Sequence, residues 1–94
     1  MTLAWSHPAR ANLLSAFAYL SEERPSAIPH LIDRIEKTLQ ILNQHPSIGR
    51  PGRVVGTREI VISGTPFIIP YRIKHQTIEI LAFLHAARRW PDTL

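Results

Sequence analysis

Apolar residues recur along this chain with two different periods. Between Ala9 and Glu23 they fall at Leu13, Leu14, Phe17, Ala18 and Leu20, the stripe of an amphipathic helix. Ser6 suits the N-cap ahead of it, and Pro8 sits in the first turn, where a missing N–H costs nothing. Glu22, Glu23, Arg24 and Pro25 end this helix. A second stripe runs through Ile28, Leu31, Ile32, Ile35, Leu39 and Leu42, with Asp33, Arg34, Glu36, Lys37 and Gln40 opposite. Ser26 is its predicted cap, and Pro29 is tolerated in its first turn. Pro46 disfavours helical geometry at His45 and closes the element. Two such helices on a short loop predict an αα-hairpin.

At Ser47 the texture changes. The segment SIGRPGRVVGT reads as a loop with a short extended piece. Three runs of strand character follow: Arg58–Ser63, Phe67–Lys74 and Thr77–His85. Ser63-Gly64-Thr65-Pro66 separates the first two, and His75-Gln76 the last two. In the middle run Phe67, Ile69, Tyr71 and Ile73 share one face, and Ile68, Pro70, Arg72 and Lys74 the other. In the last run Ile78, Ile80, Ala82 and Leu84 oppose Glu79, Leu81, Phe83 and His85. Pro70 cannot donate to a ladder, so a bulge or an unpaired neighbour is expected there. Residues 2–6 (TLAWS) read as one more strand, with Leu3 and Trp5 on one face. The predicted order is β-α-α-β-β-β. It is an α+β fold in one domain, residues 1–94, with the helical hairpin on one face of a small antiparallel sheet. Arg58, Arg72, Lys74, His85, Arg88 and Arg89 are expected on the other face.

Composition narrows the functional classes. The chain has 94 residues and no Cys, which removes disulfide frameworks, thiolate metal sites and thiol nucleophiles. No apolar run approaches the roughly 18 residues needed to span a bilayer, and no secretory leader is visible, so a cytoplasmic setting without membrane contact is expected. Charge is more telling once divided. Residues 1–47 are neutral, with Arg10, Arg24, Arg34 and Lys37 against Glu22, Glu23, Asp33 and Glu36. The whole net charge of +4 therefore lies in the second half, and nine of the eleven cations are Arg. Arginine suits planar contacts with phosphate or carboxylate, so an anionic partner is expected, either nucleic acid or an acidic protein segment.

Candidate chemistry is sparse. There is no phosphate-binding loop, no dinucleotide glycine pattern and no zinc-protease motif, and the five histidines are scattered without ligand spacing. No metal and no cofactor are expected. His85 ends an apolar strand beside Arg88 and Arg89; it can serve as an acid or base, or bond the backbone and fix the strand end. Arg50, Arg53 and Arg58 surround a Gly/Pro loop that can approach phosphates closely, or is simply solvated. Arg72 either lines a cleft or pairs with Glu79 across the hairpin. Trp90, next to Arg88 and Arg89, is either a stacking tip or folds back onto the core.

Taken in order, these pieces resemble the RelE/ParE superfamily, the toxins of bacterial type II toxin–antitoxin modules. The resemblance covers almost the whole chain. It rests on the element order, on Pro46-x-x-Gly49-Arg50, Gly56-Thr57-Arg58-Glu59 and Tyr71-Arg72-Ile73, and on Ile78-x-Ile80, Leu84-His85 and Arg89-Trp90-Pro91. It implies a cytoplasmic growth inhibitor, associated with plasmid stabilisation, that is neutralised in a hetero-oligomer with a cognate antitoxin. The antitoxin segment would fold on binding and complement the Arg-rich surface.

The superfamily divides by target. RelE-like members cut mRNA in the ribosome, and ParE-like members inhibit DNA gyrase. Ribonuclease members usually carry Arg three residues before the strand tyrosine; here the tyrosine is Tyr71 and that position is Ile68. They also often carry a C-terminal catalytic Tyr, and none follows His85. Cleavage needs charge stabilisation where the transition state turns negative, which Ile68 cannot supply. The resemblance is therefore closer to ParE. It implies Arg50, Arg53, Arg58, Arg72, Arg88, Arg89 and Trp90 as contacts for gyrase or antitoxin. The alternative, a ribosome-dependent endonuclease, would use His85 as acid or base and Arg58, Arg72 and Arg88 on phosphate. A third alternative is a degenerate relative that binds antitoxin without toxicity.

Overall fold

The computed structural model describes residues 1–88, 90, 91 and 94. The elements are β1 (Thr2–Trp5), α1 (His7–Glu23), α2 (Ala27–Gln44), β2 (Arg50–Pro51), β3 (Arg58–Val61), β4 (Phe67–Lys74), β5 (Thr77–Ile80) and β6 (Leu84–His85). Each starts or stops for a local reason. The Ser6 hydroxyl accepts from Ala9 N–H at 3.1 Å and donates to Leu81 O at 3.1 Å, so one side chain caps α1 and ties it to the sheet. Ser26 does not cap α2: its backbone is already helical and its side chain makes no cap bond. The interhelical turn closes instead through Ala27 N–H to Arg24 O and Ile28 N–H to Pro25 O. At the far end His45 N–H still reaches Ile41 O, and Pro46 follows.

The sheet order is β1-β5-β4-β3-β2, with β6 pairing β4 beyond the end of β5. It is mixed rather than antiparallel, because β1 runs parallel to β5, with Thr2 opposite Thr77 and Trp5 opposite Ile80. Parallel neighbours need a long connection, and here the chain between β1 and β5 runs through the helical hairpin and then β2, β3 and β4. The hairpin between β4 and β5 turns on His75 and Gln76, both at positive φ (51° and 63°), as a two-residue mirror-image turn requires.

The expected single strand over Thr77–His85 is interrupted. Tyr71 pairs with Ile80 and Ile68 pairs with Leu84. Two residues of β4, Ile69 and Pro70, therefore face three residues, Leu81–Phe83, which is a bulge opposite the proline. The groups this leaves over are used: Leu81 N–H bonds Pro70 O at 2.9 Å, and Phe83 N–H bonds Asn12 Oδ1 at 3.2 Å. One extra residue inverts the faces beyond it. Phe83, not Ala82 or Leu84, joins Ile78 and Ile80 in the core and stacks on Phe67 with centroids 4.7 Å apart. His85 follows it to the helix side and meets the Phe67 ring edge-on at 5.6 Å.

The core lies between this face and the hairpin. Leu31, Ile35 and Leu42 of α2 and Ala9 of α1 pack with Ile62, Ile69, Tyr71, Ile78, Ile80 and Phe83. Burying each large side chain contributes about 1.5–3 kcal/mol. On α1 the inward stripe is Ala9, Leu13, Ala16, Phe17 and Leu20. Leu14, expected in it, is 69% exposed, and Ala18 is also outside. The opposite face of the sheet is not an open cationic surface: Ile68, Pro70, Ala82 and Glu59 on it are buried. Among the described residues no helix is long and apolar enough to cross a membrane.

Candidate partner-binding site

The loop leaving α2 is fixed from below by Tyr71, which is fully buried. Its hydroxyl donates to Pro46 O at 2.6 Å and accepts from Gly49 N–H at 2.9 Å. Arg58, opposite Tyr71 in the β3–β4 ladder, donates to Ser47 O and Gly49 O at 3.1 and 2.8 Å. Burial pushes the Tyr71 hydroxyl pKa up from its ordinary value, against the weaker downward pulls of the Gly49 bond and the Arg58 charge. A Cβ on Gly49 would stand 2.6 Å from the Tyr71 oxygen, so glycine is the residue that fits there. Arg58 is thus spoken for by carbonyls.

On the other face Glu59 is 3% exposed and collects the loop's remaining cations. Arg50 Nη2 donates to it at 3.3 Å, Arg53 N–H at 3.0 Å, and Arg53 Nε lies 4.0 Å away. The Arg53 guanidinium also stacks over the Trp90 ring at 3.6 Å, so Trp90 packs on a cation rather than standing out as a tip. Arg72 pairs with Glu79 at 2.8 Å across the hairpin.

A cleft of about 760 Å³ opens between the helical hairpin and the end of the sheet around Phe67 and His85. Leu20, Leu31, Phe67 and Phe83 give it an apolar floor, Arg24 and Arg88 supply its cationic groups, and His30 and His85 add imidazoles. No carboxylate lines it among the described residues. His30 Nε2 lies 3.4 Å from Gly64 O, and the Arg88 guanidinium sits 5.2 Å over the Tyr19 ring. His85 Nδ1 accepts from Ala87 N–H at 3.1 Å, which in a neutral ring leaves the proton on Nε2.

The expected basic face is therefore divided into parts. Arg50, Arg53 and Trp90 come together around Glu59, His85 and Arg88 share the cleft, and Arg58 and Arg72 lie apart. Arg89 lies outside the described residues. Of the four residues an endonuclease would use, only His85 and Arg88 are neighbours. Arg58 is displaced from His85 by four residues along β4 and Arg72 by five, about 13 and 17 Å. Arg72 is also on the opposite face. The physical cause is the bulge, which turns His85 away from the Arg72 side. Sequence reasoning missed Tyr19, Arg24 and His30 as cleft residues and Glu59 as the loop's anchor. The scarcity of acids in the second half was the available signal for Glu59. Among the described residues no group of His, Asp or Glu can hold a metal ion.

A helical hairpin over a small mixed sheet is the fold expected of a small RelE/ParE-type toxin. A family model described as "ParE toxin of type II toxin-antitoxin system, parDE" matches residues 3–90. A protein of Sinorhizobium fredii named "Putative toxin Y4kP" is 38% identical over 92 residues, covering 98% of this chain and 95% of that protein. A solved chain of the "Chromosomal ParDE TA system from P. aeruginosa" superposes with a TM-score of 0.77 at 28% identity, covering 90% of this chain and 95% of that one. The chain belongs to the ParE toxin family.

Proposed function

We propose that this toxin inhibits growth by binding DNA gyrase in the cytoplasm, without chemistry of its own, and that a cognate antitoxin silences it in a hetero-oligomer. The observation that carries the non-chemical mode is the state of the strand positions a ribonuclease would use. Ile68 is 4% exposed and apolar, Tyr71 is fully buried with its hydroxyl engaged twice, Arg58 holds carbonyls, and Arg72 is paired with Glu79. Ile68 offers a scissile phosphate no charge, and Tyr71 and Arg58 already spend their polar atoms inside the fold. The antitoxin half draws support from the cleft. An apolar floor beneath four cationic or ionisable groups, with no carboxylate among the described residues, fits an amphipathic acidic segment that folds as it binds.

The competing mode is ribosome-dependent mRNA cleavage, for which His85 keeps an N–H at Nε2 beside Arg88. Adding the purified protein to a translating ribosome system and mapping mRNA ends separates the two. Intact mRNA is expected. Position-specific cuts that disappear in His85→Ala would overturn the gyrase mode.

A further inference from the structure

The hairpin between β2 and β3 holds two valines out in water on a tightly bonded turn. Gly52 N–H donates to Thr57 O at 2.8 Å. Thr57 uses both its N–H, at 3.1 Å, and its hydroxyl, at 2.6 Å, on Val54 O. Gly56 takes φ +83°, which an L side chain adopts poorly. At the tip Val55 is 100% exposed and Val54 39% exposed. Valine is a poor turn residue, stiff at χ1 and without a polar group to bond its own backbone, so local structure does not call for it here. Among the described residues no core contact uses Val55 either.

The stem below the tip is positive. Arg50, Arg53 and Arg58 fall within nine residues, and residues 45–58 contain no acid. The nearest carboxylate in sequence, Glu59, is buried beneath Arg50 and Arg53. Arg50 and Arg53 nevertheless keep 58% of their side-chain surface in water. The hairpin also sits at the Arg58 end of β3, whereas the cleft lies past its Val61 end at Gly64 to Phe67. It is thus an apolar point on a cationic stem, distant from the cleft.

We infer that this hairpin is the target-binding element of the toxin: Val54 and Val55 enter an apolar pocket of the target protein, and carboxylates on the pocket rim meet Arg50 and Arg53. This rests on the proposed gyrase-binding mode. A turn already locked by its own hydrogen bonds loses little freedom on insertion, so burial of the two valines converts efficiently into affinity. Opposite charge on the rim adds encounter rate and orientation.

The test is a supercoiling titration of gyrase with the wild type, the double variant Val54→Ser/Val55→Asp, and Val61→Ser as an exposed valine elsewhere on β3. Circular dichroism and antitoxin binding are measured on the same preparations. The double variant should need at least about tenfold more protein for half-inhibition. Val61→Ser should match the wild type, and antitoxin binding should be unchanged in both. A double variant as potent as the wild type overturns the hairpin assignment and leaves the gyrase mode standing. Equal loss of antitoxin binding also overturns it, because the tip would then be part of the antitoxin's seat. A wild type without effect on gyrase removes the gyrase mode and this inference together.

Discussion

Replacing Tyr71 by Phe removes one oxygen and leaves the ring in the core. That oxygen joins two elements: it donates to Pro46 O at 2.6 Å and accepts from Gly49 N–H at 2.9 Å. Gly49 is buried, so its N–H finds no water when the hydroxyl goes, and an unpaired buried donor costs about 1–3 kcal/mol. Pro46 is only half-buried, so its carbonyl can recruit solvent, and that bond is worth about 0.5–1.5 kcal/mol net. Tyr71→Phe should therefore lose roughly 2–4 kcal/mol, a large share of the ~5–15 kcal/mol expected of a domain. In thermal unfolding followed by circular dichroism this is a Tm lower by at least about 8 °C. The pH dependence gives a second readout. Burial holds the folded-state pKa of Tyr71 above its ordinary 10.0. The neutral hydroxyl is thus favoured in the folded state, so this contribution is complete below about pH 10 and is lost as pH rises through the raised value. The stability gap between wild type and Tyr71→Phe should narrow above about pH 10. A variant within about 0.5 kcal/mol of the wild type, with a gap independent of pH, would refute the clamp.

Further variants probe the same scaffold. Gly49→Ala places a Cβ 2.6 Å from the Tyr71 hydroxyl and 2.9 Å from Glu59 O, and should cost about 1–3 kcal/mol in denaturant unfolding. Ser6→Ala removes both the α1 cap and the bond to Leu81 O; a loss of about 1–2 kcal/mol is expected, largely restored by Ser6→Thr. His75→Asn with Gln76→Gly puts the residues a mirror-image turn prefers at φ 51° and 63°, and should raise the denaturation midpoint by about 0.5–1 kcal/mol of stability.

What could be read in the sequence follows the range of the interactions involved. The helices and β4 were legible because periods of 3.6 and 2 are local, and β4 spans Phe67–Lys74 as predicted. Pro70 signalled a bulge, but not that the extra residue lies on the neighbouring strand at Leu81–Phe83. That single residue moved Phe83 and His85 to the helix side and divided the expected cationic face. The parallel pairing of β1 with β5 had no local signature, since it joins residues about 75 apart. Leu14 was placed on the wrong side because α1 carries apolar residues on both flanks, so the stripe alone did not fix its rotation. Among the candidate residues, the Arg72–Glu79 pair was legible from hairpin register. The Arg50–Glu59–Arg53 cluster was not, because the loop's path sets it.

The most direct measurement is DNA gyrase supercoiling in the presence of purified toxin at micromolar concentration, with and without the proposed cognate antitoxin. Inhibition that persists in His85→Ala and is relieved by stoichiometric antitoxin is the predicted result. Full supercoiling activity at that concentration would contradict the proposed action of this ParE toxin.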